Sequence, residues 1–326
     1  MTGIIILNWN GATDTIECLK SLYAAQGDFF AVVVDNGSTD DSVTRISDYL
    51  AETNTGFRTI EKDGTLDTPP ALRECILFCT MANLGFAKGN NEALRLLSQT
   101  PVADSYILLN NDTLVEPDFL TELQKFATEH PDYKALTPLI CYEGERELIW
   151  NCGGRQKAGF RKYYYARQNV SQIQETGYID ITFVTGCALY FRPDILLEDG
   201  GIFTEKFFFG EEDFNFCIKM NKQGHKMACV LTSKIYHKVS SSTTNNDPIG
   251  KTYIYYLNRY IDVKQNYSPL FYNMWKAINF PNVVRILKRK GMPIGAATRW
   301  TQKLQNDADR KENVSYEDFI QALKLK

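Results

Sequence analysis

In the first half of the chain, short apolar runs alternate with segments whose apolar residues recur every three to four positions. That alternation specifies strand–helix–strand units, which close as an α/β fold with a mostly parallel central sheet flanked by helices. Gly3–Asn8, Phe29–Val34 and Tyr106–Leu109 read as strands, with another near Ile76–Phe78. Ile16, Leu19, Leu22 and Tyr23 mark a helix headed by an Asp14–Glu17 capping box, and Val43, Ile46 and Leu50 mark the next. A third helix is expected over Asn91–Leu97 and a fourth through Leu120, Leu123 and Ala127, with Pro117 as its first residue. Residues 51–80 carry Pro69-Pro70 and polar turns, and from about 140 to 180 the pattern gives way to glycine- and tyrosine-rich sequence. Order is expected again at Ile181–Thr185, at Met227–Leu231, and in a helix from Glu212 to Gln223 closed by Gly224. Ser315 with Asp318 predicts a last short helix.

A chain of 326 residues accommodates one large α/β domain and a smaller region. Its net charge of −3 argues against a nucleic-acid binder, which carries a basic excess. The eight cysteines lack paired zinc spacing and suit a reducing cytosol, so a cytoplasmic protein is expected. Met1-Thr2-Gly3 leads straight into a strand without a basic lead, and no apolar run reaches the roughly 20 residues of a bilayer span. Lys251 to Lys303 is different in kind: ten basic residues face one acid, Asp262, and are interleaved with aromatics such as Tyr253, Trp275 and Trp300. Such a stretch suits an anionic membrane surface, a solvated helical face or a surface docking onto an acidic domain.

In open α/β sheets, ligands bind beyond the carboxyl ends of the strands, so the residues just after each strand carry the chemistry. After the first strand, Asn8-Trp9-Asn10-Gly11 offers an indole face for a base and a glycine that lets the backbone approach closely. After the second, Asp35-Asn36-Gly37-Ser38 offers a carboxylate able to accept the N3–H of uracil or thymine. Asn110-Asn111-Asp112-Thr113 projects polar side chains from a central strand. A hard cation such as Mg²⁺ or Mn²⁺ wants oxygen ligands, and one carboxylate suffices only when a diphosphate supplies the rest. Gly210-Glu211-Glu212-Asp213 opens a helix beside Phe207-Phe208-Phe209. Mutual repulsion and burial there raise a carboxylate's pKa toward general-base range. Each cluster taken alone is equally a turn or a helix cap. His237 stands as a second metal ligand, a phosphate contact or a satisfied lone histidine. The glycine-rich signatures of dinucleotide folds and P-loops are absent.

Together, these sites resemble family 2 of the inverting glycosyltransferases, which share the GT-A nucleotide-diphospho-sugar transferase fold. The matching segments run in family order: Ile6–Gly11, Val33–Asp40, Asn83–Asn91, Leu108–Thr113, Thr185–Leu189, Phe209–Asp213 and Tyr236-His237. Their wording is most similar to the bacterial rhamnosyltransferases. The resemblance implies a catalytic domain over 1–245, with a nucleotide half to about 115 and an acceptor half to 245. A basic, aromatic-rich helical region over 246–326 follows it.

By the same resemblance, Asn8, Trp9, Asn10, Asp35 and Asn36 hold the nucleotide. Gly85, Phe86, Lys88 and Asn91 line the diphosphate and sugar, together with Asn110 and Asn111. Asp112 and His237 hold Mg²⁺ or Mn²⁺, with Asn110 standing where the family usually has a first carboxylate. Asp213 is the implied base, with Glu212 the neighbouring alternative, and Gly186, Cys187 and Glu211 border the acceptor. The expected reaction moves a sugar, L-rhamnose from dTDP-rhamnose, onto a glycan or lipid-linked glycan of a bacterial surface polysaccharide such as O-antigen. A UDP-dependent galactosyl- or glucosyltransferase and a catalytically silent glycan-binding module are the alternatives. A nucleotidyltransferase would need a glycine-rich loop with an arginine after the first strand, where this chain has Asn8-Trp9-Asn10-Gly11.

Overall fold

The computed structural model describes residues 1–239 and 248–324. The domain boundary expected near 245 and the run Ser240-Ser241-Ser242 lie outside the described residues. The chain opens with β1 (Thr2–Asn8), α1 (Ala12–Ala24), β2 (Phe29–Asp35) and α2 (Ser42–Glu52). Next come β3 (Phe57–Glu61), β4 (Cys75–Cys79), α3 (Phe86–Ser98), β5 (Ser105–Asn110), β6 (Thr113–Val115) and α4 (Phe119–Glu129). The middle third is strand-rich: β7 (Tyr133–Tyr142), β8 (Ile149–Asn151), β9 (Gly154–Lys157), β10 (Phe160–Tyr163), β11 (Tyr178–Ile181) and β12 (Ala188–Phe191). After α5 (Glu212–Lys222) and β13 (Lys226–His237), the chain is helical in α6 (Pro248–Asn266), α7 (Pro269–Arg289), α8 (Ile294–Arg310) and α9 (Tyr316–Leu323).

The main path of the large sheet runs β11-β13-β7-β12-β5-β1-β2-β4-β3, parallel from β5 to β3 and mixed beyond it. Because side chains alternate across a strand, Ile4 and Ile6 enter one core while Ile5 enters the other, which is why these strands are apolar throughout. A third core, around Tyr260, Trp275, Val283, Leu287 and Leu304, holds α6 to α9 together, and Phe207 of the main domain belongs to it.

Several sequence expectations change. The Asp14–Glu17 capping box does not form: α1 starts at Ala12 without a side-chain cap, and both carboxylates bind the Lys238 ammonium. Helix α3 begins at Phe86, five residues before the expected start, and α4 begins at Phe119, so Pro117 lies outside it. Ile181–Thr185 is not one strand, since β11 ends at Ile181. Met227–Leu231 extends through a register shift to His237, because β7 pairs along its length. The tract from about 140 to 180, where the sequence pattern gives way, carries four short strands, among them the β9–β10 hairpin. In the basic region, Tyr253, Tyr256, Tyr272 and Trp275 are core residues and do not face solvent. The Ser315–Asp318 capping box forms as expected.

Candidate active site

Strands β5, β1 and β2 lie side by side and parallel, so Asn110, Asn8 and Asp35 end at one edge. Asn8 is fully buried there, donating from Nδ2 to Asp35 Oδ1 at 2.8 Å and accepting from Thr15 Oγ1 at 2.8 Å. Asn111 Nδ2 in turn donates to Thr15 Oγ1 at 3.1 Å. Asp35, also buried, accepts the Ser38 N–H at 3.0 Å. Asn36 points the other way, donating to Asn83 Oδ1 and the Gly85 carbonyl and accepting the Leu84 N–H. Asn10 and Thr39 join the two loops, and Trp9 projects from them with 44 % of its surface exposed. An exposed indole on a loop braced this way gives a flat ligand a preformed face.

The loop before α3 is built on Gly85, whose φ of +83° suits only glycine and whose backbone touches the 208 segment. A Cβ at 85 would collide with the Phe208 carbonyl. Gly85→Ala is expected to destabilise the fold by about 2 kcal/mol or more, read by urea denaturation. Lys88 stands exposed on the first turn of α3, where helix dipole and side-chain charge both favour an anion. Asn91 is fully buried and makes four hydrogen bonds to the 202–205 segment: Nδ2 to Phe203 O and Glu205 Oε1, and Oδ1 from the N–H groups of Ile202 and Phe203. Its amide braces the site from behind.

Beyond β5, His237 at the end of β13 places Nε2 3.0 Å from Asp112 Oδ1, both side chains buried. The imidazole packs edge-on against Trp150, and its Nδ1 has no hydrogen-bond partner. Burial works against its protonation, yet Cys187 and the Asp112 carboxylate outweigh burial and raise its pKa to about 10. The pair thus converges one hard oxygen and one nitrogen on the same place. Among the described residues, no group of three His, Cys, Asp or Glu could hold a metal. Two donors are too few for Mg²⁺ or Mn²⁺ alone, and they fit such a cation when diphosphate oxygens complete the set.

At the mouth of α5, Glu211, Glu212 and Asp213 follow one another, and their environments separate them. Glu211, at φ +85°, is buried in an ion pair with the Arg161 guanidinium of β10. That guanidinium lies over the Phe214 ring, 3.1 Å from its centroid. Glu212 is buried with Oε2 unpartnered, and burial followed by repulsion from Asp213 raises its pKa. Asp213 alone of the three keeps partial exposure. Burial raises its pKa as well, against the pull of Arg161 and the Gly186 N–H, which donates to Oδ2 at 3.3 Å. Gly186 is close-packed with the Phe86 ring and Asp213. Its neighbour Cys187 accepts the Asn110 N–H at 2.8 Å and touches His237 through its thiol. One dipeptide thus joins the carboxylate cluster to the Asp112–His237 pair.

Sequence reasoning missed Arg161 and the contribution of α6. Asn258 donates to the carbonyls of Phe209 and Gly210, and Asp262 accepts from Asn215 of α5 at 2.6 Å. Neither Arg161 in a tyrosine-rich tract nor an asparagine in a basic helix carries a local signal of such a role.

The sequence pattern of Glycosyl transferase family 2 matches residues 3–197, more than half of the chain. No curated protein matches the chain. Among solved structures, a mannosyltransferase from Pyrobaculum calidifontis, PcManGT, in complex with GDP-Man and Mn²⁺, is similar at 14 % identity with a TM-score of 0.53. That match covers 95 % of this chain and 86 % of the other. GalNAc-T7 with UDP, GalNAc and Mn²⁺ is similar at 14 % identity and a TM-score of 0.56, covering 98 % of this chain but only 56 % of that one. S. aureus TarS 1-349 is similar at 13 % identity and a TM-score of 0.52, covering 95 % and 91 %. At such identities the likeness speaks for the fold.

Proposed function

The chain belongs to glycosyl transferase family 2, and from that premise we propose that it moves a sugar from a nucleotide diphosphate to a hydroxyl of a glycan or lipid-linked glycan, with inversion. The observation that carries this reading is the Gly186-Cys187 link, which sets a partly exposed carboxylate of raised pKa beside the Asp112–His237 pair. Trp9 stacks the base, and Asp35 accepts its N3–H from the loops that Asn8 and Asn10 hold, while Asn36 fixes the 83–85 segment behind them. Gly85 and Phe86 shape the diphosphate and sugar site with Asn110 and Asn111, and Lys88 faces the diphosphate. Asn91 supports these groups through the 202–205 segment.

Asp112 and His237 would hold Mg²⁺ or Mn²⁺ jointly with the diphosphate, and such a cation would supply positive charge against the leaving group. Asp213 accepts the acceptor's hydroxyl proton, because a base must be reachable and Glu212 and Glu211 are enclosed. The small residues Gly186 and Cys187 border the space for the incoming sugar, and Glu211, held by Arg161, supports that wall from behind. On the likeness of its motif wording to the bacterial rhamnosyltransferases, the donor in this reading is dTDP-L-rhamnose, and the product is a bacterial surface polysaccharide such as O-antigen, built at the cytoplasmic side of the cell membrane.

A thermal-shift panel of nucleotide sugars with Mg²⁺ or Mn²⁺ tests the donor. The true donor at a hundredfold excess over its Kd adds about 2.7 kcal/mol of stability. Asp112→Asn is expected to remove the metal-dependent part of that gain. A UDP preference would replace the rhamnosyl reading by a galactosyl or glucosyl one. Binding of a glycan without transfer or donor hydrolysis would leave a silent glycan-binding module.

A further inference from the structure

Helix α7 presents an unusual outer face. Leu270, Met274 and Ile278 are exposed by 82, 53 and 54 %, although the third core lies directly beneath them on the same helix. At 100° per residue these three share one line with Arg285 and Lys288, within an arc of about 80°. The line is therefore apolar for its first turns and cationic for its last, and exposed Arg289 widens the cationic end. The surrounding sequence adds a second observation. Residues 263–306 contain eight Lys and Arg and no Asp or Glu, in a chain whose net charge is −3. Among the described residues, Asp309 approaches α7 away from this line, where it binds Lys276 and the Tyr272 hydroxyl.

A single exposed apolar residue needs no explanation, but three in register beside an acid-free cationic zone do. A second copy of the chain fits poorly. A two-fold pairing along α7 sets the apolar half of one helix against the cationic half of the other, and a parallel one sets cations against cations. An anionic lipid surface matches both halves, since acyl chains accept the apolar turns and headgroup phosphates the guanidinium and ammonium groups. Among the described residues no helix is long and apolar enough to cross a membrane, so the contact is one of lying on the surface.

We propose that the outer face of α7 docks the protein onto an anionic bilayer, with Leu270, Met274 and Ile278 inserted and Arg285, Lys288 and Arg289 on the headgroups. This inference is independent of the transferase chemistry, because binding is read without turnover. The experiment is sedimentation of the full chain with vesicles of phosphatidylglycerol and phosphatidylcholine, and with vesicles of phosphatidylcholine alone. Wild type is expected to sediment with the first and not the second. The triple variant Arg285→Glu, Lys288→Glu, Arg289→Glu should lose about a hundredfold or more in partitioning. Leu270→Ser, Met274→Ser, Ile278→Ser should also lose binding, while keeping wild-type melting because these side chains are already exposed. Indifference of wild type to anionic vesicles, or wild-type partitioning by either variant, overturns the proposal. So does a dimer in free solution that the serine variant dissociates, which would assign the face to a second copy.

Discussion

Asp213→Asn is expected to lower kcat by about 10²- to 10⁴-fold, the usual contribution of a general base, while the Kd of the nucleotide sugar stays unchanged. The Gly186 and Phe214 N–H groups use different oxygens of Asp213, Oδ2 and Oδ1, so asparagine keeps an acceptor for one of them at unchanged side-chain volume and forgoes the other bond. Protonation supplies an independent readout. A base acts only when ionised, so activity falls as pH drops through its pKa. Because that pKa is raised by burial, the fall in wild type comes at higher pH than for an exposed aspartate. Stability runs in the opposite sense. A carboxyl whose folded pKa exceeds its unfolded value favours the fold most below the unfolded pKa, and this contribution is lost as pH rises through the folded one. Asn carries no such penalty, so the variant is expected to melt no lower than wild type at pH 8. A variant that loses nucleotide affinity in step with kcat would remove Asp213 from the role of base.

Arg161→Leu should be the most damaging single change for stability, at about 3–5 kcal/mol, because it leaves the buried Glu211 carboxylate without its partner. Glu211 sits at a left-handed backbone position immediately before α5, so the loss falls on the turn that aims Asp213. The guanidinium also holds the pKa of Asp213 down, and without it the acid limb of the rate profile should move to still higher pH. Adding Glu211→Gln to the Arg161→Leu variant removes the stranded charge and is expected to restore most of the stability. Urea denaturation of the two single variants and the double variant gives the coupling directly. Additive losses would mean that the pair is not a unit.

The C-terminal helices also hold the mouth of α5. Asn258 holds the carbonyls of Phe209 and Gly210, Asp262 holds Asn215, and Phe207 enters the third core. The loop bearing the candidate base is thus clamped between the large sheet's domain and α6, which gives the helical region a structural part in the site.

The amino-acid sequence by itself determined the alternating strands and helices, the central parallel strands, and the polar residues at their ends. These follow from local periodicity, since a strand buried on both faces must be apolar throughout and must turn polar where it leaves the sheet. It also determined the caps of α9 and α5, because a cap is satisfied within a few residues. Only the tertiary structure decided which polar residues meet. Asp14 and Glu17 have capping-box spacing, yet a lysine 221 positions from Glu17 takes both carboxylates. Asn91 stands in a binding motif, yet its amide is used on a segment 112 positions away. Arg161 finds Glu211 across 50 positions. The outward turn of Leu270, Met274 and Ile278, and the burial of Trp275 beside them, were likewise hidden in a uniformly apolar and basic stretch. Periodicity reports that a face is buried or exposed, but a hydrogen bond between distant residues leaves no period, so its partners appear only when the chain has closed on itself.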